Sequence, residues 1–196
     1  MVRIFKSMGL IMVVAAVCLM CFSCGNTKNE HEYVDLGLPS GTLWATCNVG
    51  TNSPEDYGDY FAWGETTPDR NYTKRDLPDF EKVPSNFDAA TVVWGESWRM
   101  PSKGDFEELI RCCSWTWVVQ NGKNGYKVTG PNGNSIFMPA GGFNEGRGSG
   151  IENIGESGFY WTSEKRGGRA VFLIFDKDDK YIDGDKGTAL VRPVCK

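Results

Sequence analysis

The sequence predicts an α+β domain, with two helices, several small mixed or antiparallel sheets and long loops. Three observations support this class. The chain contains 24 glycines and 9 prolines, which favour short strands and turns over long helices. Three Asn-Gly pairs, a dipeptide that readily adopts the positive φ of hairpin turns, separate apolar stretches between residues 115 and 140. A complete helix start signal stands at Ser102, and 196 residues of which 40% are hydrophobic are enough for one core.

Residues 1–23 predict a signal peptide for export. Arg3 and Lys6 form a positive start, and residues 8–20 are almost uninterrupted apolar residues. The alternative is an uncleaved transmembrane helix, but spanning a bilayer needs about 20 apolar residues and this run is shorter.

The string Cys-Phe-Ser-Cys that ends this segment resembles the lipobox of bacterial lipoproteins. Ser23 is the small residue expected before the modified cysteine, whereas Cys21, which stands where leucine is usual, follows the bulky Met20. We therefore expect lipidation at Cys24 and a short polar tether over residues 24–32. Membrane attachment would then depend on the lipid anchor only, in the outer membrane and at the cell surface, with the periplasmic face as the alternative.

The charge of the mature chain argues against nucleic acid as a partner. The leader contains two basic residues and no acid, which leaves 19 basic and 25 acidic residues and a formal net charge of −6. Binding to phosphate backbones needs clustered lysine and arginine, and here both signs are interspersed. We expect an ordinary solvated acidic surface, and a monomer.

Four cysteines remain in the mature chain after Cys24. Export permits disulfides, and a bridge between the adjacent Cys112 and Cys113 is disfavoured by disulfide geometry. Of the two remaining pairings we prefer Cys47 with Cys113, which leaves Cys112 and Cys195 as a second bridge or as free thiols. Free buried thiols at all four positions are the alternative.

The first half of the domain, which we take to span residues 33–196, reads as short strands followed by irregular structure. A strand over 33–38, a turn at 38–41 and a strand over 43–49 open it. Residues 54–65 mix aromatic, acidic and glycine residues and predict packed irregular structure. Residues 66–87 contain three prolines and predict a long surface excursion.

Two helices and a series of strands complete the domain. Asp88 can cap a short helix, and Ser102 with Asp105 begins a second helix that carries Phe106, Leu109 and Ile110 on one face. Strands are predicted over 115–120, 125–131, 134–140, 159–163, 170–175 and 188–194, with a glycine-rich loop over 141–158 and a charged hairpin tip at 176–180.

Several of these strings together resemble the Fibrobacter succinogenes major paralogous domain, a family of exported lipoproteins. They are VDLGLPSGTLWATCNVG at 34–50, YGDYFAWGET at 57–66, WRMPSKGDFEELI at 98–110, NSIFMPA at 134–140, FYWTS at 159–163 and VRPV at 191–194. Within them, residues 99–107 are similar to a helix start of the formylglycine-generating enzyme superfamily. The resemblance implies a C-type lectin-like fold in which the N- and C-terminal strands pair.

The resemblance also points to recognition, since such folds present variable loops on a rigid base. We expect a protein or glycan ligand. Trp44, Trp63, Trp94, Trp98, Trp115 and Trp117 lie in apolar motifs and are predicted core residues. The predicted recognition surface consists of Trp161, Ser163, Arg166, Arg169, Phe172, Asp176 and Tyr181.

The sequence predicts no catalytic residue, no metal site and no cofactor. The adjacent Cys112 and Cys113 do not match a formylglycine-generating pair, and the single histidine, His31, lies in the predicted tether. Acidic residues 176–185 fail the EF-hand pattern. An enzyme of formylglycine-generating or carboxylate hydrolase type and a structural subunit of a cell-surface assembly are the alternative functions; the carboxylates considered are Asp56, Asp59, Glu65, Glu96, Glu107 and Glu108.

Overall fold

A computed structural model describes residues 22–23, 31–69, 76–145 and 150–196. The predicted lipidation site, Cys24, and most of the predicted leader and tether lie outside these residues. Two α-helices and several small antiparallel sheets make the described chain an α+β structure, which confirms the predicted class. The strands are β1 (Phe22–Ser23), β2 (Glu32–Asp35), β3 (Leu43–Ala45), β4 (Phe61–Ala62), β5 (Ser114–Gln120), β6 (Lys123–Thr129), β7 (Ser135–Pro139), β8 (Gly158–Arg166), β9 (Arg169–Phe175), β10 (Lys180–Asp185), β11 (Thr188–Ala189) and β12 (Val194–Cys195).

The two ends of the domain meet in one sheet, in the order β1-β2-β3-β12. The last strand pairs with β3, through Val194 opposite Trp44, and β3 pairs with β2. Strands β2 and β12 therefore share a sheet, but β3 lies between them. Direct pairing of the first and last strands of the domain, which the resemblance implies, does not occur. Strand β2 begins at Glu32, within the predicted tether, and β1 lies within the predicted leader.

The meander β5-β6-β7 contains two of the three predicted Asn-Gly turns. Asn121 and Gly122 both have positive φ, 46° and 80°, and join β5 to β6. Gly133, with φ of 88°, lies between β6 and β7. The third prediction is wrong, because Gly125 lies inside β6, opposite Pro139 of β7. A Cβ at Gly125 would approach the Met138 carbonyl oxygen to 2.3 Å, so the glycine permits close strand contact there.

Strands β8, β9 and β10 form the sheet on which the candidate site is built. The register places Trp161, Phe172 and Asp183 side by side across the three strands. The first two strands are predicted from the sequence, whereas β10 is not. Its alternating exposure is typical of an edge strand of polar residues.

Both helices begin where the sequence predicts. Helix α1 (Ala89–Trp94) is capped by Asp88, which accepts a hydrogen bond from the Thr91 N–H. Helix α2 (Lys103–Cys112) starts with a capping box, in which Ser102 and Asp105 each accept the other's backbone N–H. Among the described residues no helix has the length and apolar character that crossing a bilayer requires.

Tryptophan side chains form much of the two packed clusters of the core. Trp44, Trp63, Trp94 and Trp98 are buried, as predicted, while Trp115 and Trp117 are half-buried and pack against the second cluster. The predicted surface excursion is partly wrong, because Asp69 and Val83 are buried.

Among the described residues, no disulfide joins Cys47, Cys112, Cys113 or Cys195. The preferred bridge of Cys47 with Cys113 is therefore absent from the described chain, as is a bridge of Cys112 with Cys195. The physical reason lies in the packing, since Cys47 belongs to the first core cluster and Cys113 packs against the second.

Candidate functional site

Three members of the predicted recognition surface are buried, which corrects that prediction. Trp161 is 1% exposed and Phe172 2% exposed. The Trp161 indole N–H donates to the Phe61 carbonyl at 2.8 Å. Ser163 is also buried, and its backbone N–H donates to the Pro101 carbonyl at 2.8 Å. A ligand cannot stack on a tryptophan ring that the core covers on both faces.

Asp176 is exposed but forms the turn between β9 and β10. Its carboxylate accepts the backbone N–H groups of Asp178 and Asp179 at 2.8 and 2.9 Å, and these hydrogen bonds lower its pKa. Strand β9 separates this turn from Arg169 by roughly 20 Å, because a strand rises about 3.4 Å per residue. Asp176 and Arg169 therefore do not form one site.

The remaining predicted residues, Arg166, Arg169 and Tyr181, are exposed on this sheet. Arg169 lines a cleft of about 210 Å³ on one side of it. Arg166 and Arg169 line a second hollow of about 260 Å³ together with Ile182 and Asp183. We call the first of these the hairpin cleft, and it is the candidate functional site.

The floor of the hairpin cleft is aromatic. Phe143, Phe159 and Phe172 lie in mutual contact, with ring centroids 4.8 to 5.6 Å apart. Phe159 and Ile174 are only half-buried, and they pair across β8 and β9 on the same face. Core packing thus fixes the floor while leaving part of an aromatic ring and an aliphatic side chain accessible.

The rim of the hairpin cleft is charged. Asp183 and Asp185 extend from β10 on the same face as Phe172, because alternate residues of a strand share a face. Glu145 and Glu152 line the cleft as well, and Glu152 pairs with Phe143 in an isolated bridge. Arg169 also lines the cleft, so residues of both charges are among its described lining residues.

A larger open groove of about 820 Å³ lies beside α1, and two of the polar side chains that line it are engaged within the protein. The Thr91 hydroxyl donates to the Trp98 carbonyl at 2.8 Å. Arg99 donates to both oxygens of Asp105, at 2.7 and 3.3 Å. The bonds of Arg99 to Asp105 give the string RMPSKGD at 99–105 a structural role.

The two glutamates of α2, Glu107 and Glu108, make different contacts within the protein. Glu107 is exposed and pairs with Lys103. Glu108 is buried, and it accepts hydrogen bonds from the Ser40 N–H and hydroxyl at 3.1 and 2.5 Å. Glu107 therefore forms an ion pair at the surface of α2, whereas Glu108 connects α2 to the turn at Ser40.

Burial shapes the chemistry of two cysteine side chains, and the single histidine is packed. Burial raises the pKa of Cys113 to about 11 and also raises the pKa of Cys47, so both thiols are protonated at neutral pH. His31 does not lie free in a tether, since its ring stacks on Trp94 with centroids 3.7 Å apart. This contact corrects the prediction that residues 24–32 form only an unpacked tether, because the aromatic ring of His31 can pack although its neighbours are polar.

Most residues of the hairpin cleft were not predicted as site residues from the sequence: Phe143, Glu145, Glu152, Phe159, Asp183 and Asp185. The signal for two of them was present, because Tyr181, Asp183 and Asp185 alternate and therefore share one face of a strand. The glycine-rich loop gave no comparable signal for Glu145 and Glu152. Within the described chain, no three His, Cys, Asp or Glu side chains gather as metal ligands.

Comparison of the chain with protein-family models, with curated proteins and with solved structures finds no match in any of the three.

Proposed function

We propose that this chain matures into a membrane-anchored binding protein that displays a C-type lectin-like domain to a protein or glycan ligand. The observation that carries the proposal is the hairpin cleft, where a packed aromatic floor meets a charged rim. Ligand sites in proteins commonly combine apolar walls with a few well-placed polar groups. The family resemblance and the lipobox-like string at Cys24 support display at the outer membrane surface.

The construction of the cleft suits binding. Its floor belongs to a three-stranded sheet whose inner residues are buried, and its rim consists of exposed side chains. Rigid elements hold a recognition surface in place, which reduces the entropy lost on binding. Asp183 and Asp185 each use one carboxylate oxygen for a neighbouring backbone N–H, and the other oxygen of each can accept from a ligand.

One observation favours a second candidate, a hydrolase that uses two carboxylates. The cleft is lined by acids from two separate segments, Glu145 and Glu152 on one and Asp183 and Asp185 on the other. Glycoside hydrolysis uses a pair of carboxylates about 5 to 10 Å apart across the bond that is cleaved. Release of product from a bound glycan would distinguish this enzyme from a binding protein.

The test is binding of the detergent-solubilised lipoprotein to glycan and peptide arrays. The variant Asp183→Asn, Asp185→Asn should lose the array signal, because it replaces two charged carboxylates at the rim by neutral amides. The control variant Asp178→Asn, Asp179→Asn removes the same charge from the exposed tip of the same hairpin and should bind as the wild type does.

Three results would overturn the proposal. Equal binding by the cleft variant and the wild type would remove the cleft from recognition. Turnover of an arrayed glycan, dependent on Asp183 or Glu152, would make the chain an enzyme. Ordered polymers of the protein on intact cells, unchanged by the cleft variant, would favour a structural subunit.

A further inference from the structure

We infer that the second hollow on the C-terminal sheet is a binding site of its own, which takes the carboxylate or sulfate group of an acidic sugar. We call it the arginine hollow, because Arg166 and Arg169 line it together with Lys103 and Ile182, and its volume is about 260 Å³. The inference adds a site to the proposed binding function and rests on that function for its setting.

Two arginines stand opposite each other at the end of the β8–β9 hairpin. Arg166 pairs with Arg169 across the two strands, and the turn between them consists of Gly167 and Gly168, with φ of 59° and 76°. Positive φ at both central positions is typical of the tight type I′ turn. Because residues directly opposite on neighbouring strands share a face, this turn holds both arginine side chains on the same face of the sheet.

The charges of this arginine pair are not balanced within the described part of the chain. Both side chains are exposed, and among the residues that the structure describes neither guanidinium has an ion pair or a hydrogen bond. Like charges directly opposite on neighbouring strands destabilise the pairing. A bound oxyanion between Arg166 and Arg169 would replace this repulsion by attraction.

The arginine hollow lies on the face of the sheet opposite the floor of the hairpin cleft. Along β9, Arg169 shares a face with Val171, whereas Phe172 points to the other face, into the first core cluster. Val171 stands opposite Gly184 of β10. A Cβ at Gly184 would come within 3.1 Å of the Arg169 Cβ, so this glycine keeps the sheet open beside the arginine.

The start of α2 adds a third cation to the arginine hollow. Lys103 is the first residue of α2, but its ammonium already pairs with Glu107, and its N–H donates to a Glu164 carboxylate oxygen at 3.2 Å. Asp183 also lines the hollow, although the alternation of β10 places its side chain on the face of Phe172. The two arginines therefore supply the charge that a ligand would balance.

The chemistry of the hollow suits a carboxylate or sulfate group on a sugar ring. Guanidinium groups bind such oxyanions through paired, charge-assisted hydrogen bonds, and the half-buried Ile182 offers apolar surface to the ring. An acidic protein segment is disfavoured, because the predicted mature chain has a formal net charge of −6 and Glu107 and Glu164 lie at the start of α2. A sugar with one oxyanion in the hollow meets less of this repulsion.

The experiment measures binding of hexasaccharides to the detergent-solubilised protein by isothermal titration calorimetry at physiological salt, which screens attraction between distant exposed charges. The probes are a galacturonic acid hexasaccharide, a sulfated galactose hexasaccharide and neutral maltohexaose. We expect at least one acidic probe to bind, which identifies the oxyanion, and maltohexaose to bind about tenfold more weakly or not at all.

The variant Arg166→Gln, Arg169→Gln should weaken binding of the acidic probe about tenfold or more, since charge-assisted hydrogen bonds are lost. The matched control Arg111→Gln, Lys127→Gln removes the same charge at exposed positions of α2 and β6. It should leave the affinity within about twofold.

Thermal unfolding separates a binding role of the arginines from a structural one. Because their like charges repel each other, Arg166→Gln, Arg169→Gln should leave the Tm without sugar unchanged or raise it. The acidic probe should raise the Tm of the wild type but not that of this variant. A lower Tm of the variant without sugar would show that the arginines stabilise the hairpin and would overturn the inference.

Further results would also overturn the inference. Absence of binding by both acidic probes, or undiminished binding by the arginine variant, would remove the hollow as a sugar site. Equal weakening by the control variant would show attraction by overall charge. Tighter binding of a hexapeptide of alternating glycine and glutamate than of either acidic probe would make a protein segment the ligand.

Failure of the inference is distinguishable from failure of the proposed function. If Arg166→Gln, Arg169→Gln binds the acidic probes as the wild type does while Asp183→Asn, Asp185→Asn loses the array signal, binding at the hairpin cleft stands and the arginine hollow is wrong. If neither pair of substitutions changes binding of any probe, both sites are wrong.

Discussion

Arg192 is a fully buried cation that connects three parts of the chain. It is 0% exposed and donates hydrogen bonds of 2.7 to 3.1 Å to the Asn48 side chain and to the carbonyls of Ala45, Thr46 and Phe137. Burial lowers its pKa from the ordinary value. A buried charge is tolerated only when its donors are satisfied, so this arginine ties β3 and β7 to the C-terminal segment.

Replacing this arginine should therefore destabilise the fold strongly. Arg192→Met keeps the length of the side chain but leaves several buried oxygens without a donor, which costs about 3 kcal/mol or more. Urea unfolding of the variant measures this loss. Arg111→Met, at an exposed position of α2, is the matched control, with an expected change within about 0.5 kcal/mol. Equal unfolding midpoints for both variants would contradict this role.

Cys113 should react slowly with alkylating agents. Its pKa of about 11 leaves on the order of a hundredfold less thiolate at pH 8 than an ordinary cysteine has. Iodoacetamide labelling followed by peptide mass spectrometry should give a rate that rises about tenfold per pH unit up to pH 10. Rapid labelling at pH 8, or a Cys47–Cys113 linked peptide in an unreduced digest, would contradict the free, protonated thiol.

At the scale of elements, local signals in the sequence located the helices and the paired strands of the meander. Capping residues act within one turn of the chain, so Asp88 and Ser102 could be recognised without tertiary information. The turn predicted at Asn124-Gly125 is wrong for a tertiary reason. Gly125 lies in β6, where the close approach of Met138 of β7 leaves no room for a Cβ. Burial of Trp161 is tertiary as well, since its partner Phe61 is 100 residues away.

The start of α2 gives a pH-dependent prediction. Burial would raise the pKa of Asp105, but hydrogen bonds from Arg99 and Ser102 outweigh it and hold the pKa below its ordinary value of 3.8. A carboxylate with a lowered folded-state pKa stabilises the fold above its unfolded value, and this contribution is lost as pH falls through the folded value.

Asp105→Asn should therefore destabilise the protein by about 1 to 3 kcal/mol at pH 7. The difference from the wild type should persist down to about pH 5 and shrink below pH 3.8. Chemical unfolding across this pH range measures it. Glu107→Gln, at an exposed position of the same helix, should change stability little. A difference from Asp105→Asn that stays constant to pH 2 would refute the role of the carboxylate.

At the scale of the whole molecule, the sequence predicted a recognition surface on the C-terminal sheet, and three of the residues it assigned to that surface are buried. Its aromatic residues were visible in the sequence, whereas their burial depends on how β8 and β9 pack on the core. The hairpin cleft is assembled from β8–β10 and from Phe143, Glu145 and Glu152. Such distant segments come together only in the folded chain, and no local pattern predicts their meeting.

The proposed lipid anchor gives a prediction for the chain in its cell. Several acyl chains on Cys24 would hold the protein on the membrane, because each buried methylene contributes about 0.8 kcal/mol. Cys24→Ala should therefore move the protein from the membrane fraction to the soluble or secreted fraction. Fractionation and immunoblotting measure this, with Cys21→Ala as the control expected to remain in the membrane. Unchanged partitioning of Cys24→Ala would refute lipidation at this residue.

The most direct test of binding at the hairpin cleft is an amide NMR titration of the detergent-solubilised protein with the glycan or peptide that gives the strongest array signal. We predict chemical-shift changes that cluster on β9, on Asp183–Asp185 and around Phe143 and Glu152. Shift changes confined to the groove beside α1 or to the turn at Asp176, or an unchanged spectrum at saturating ligand, would contradict binding at this cleft.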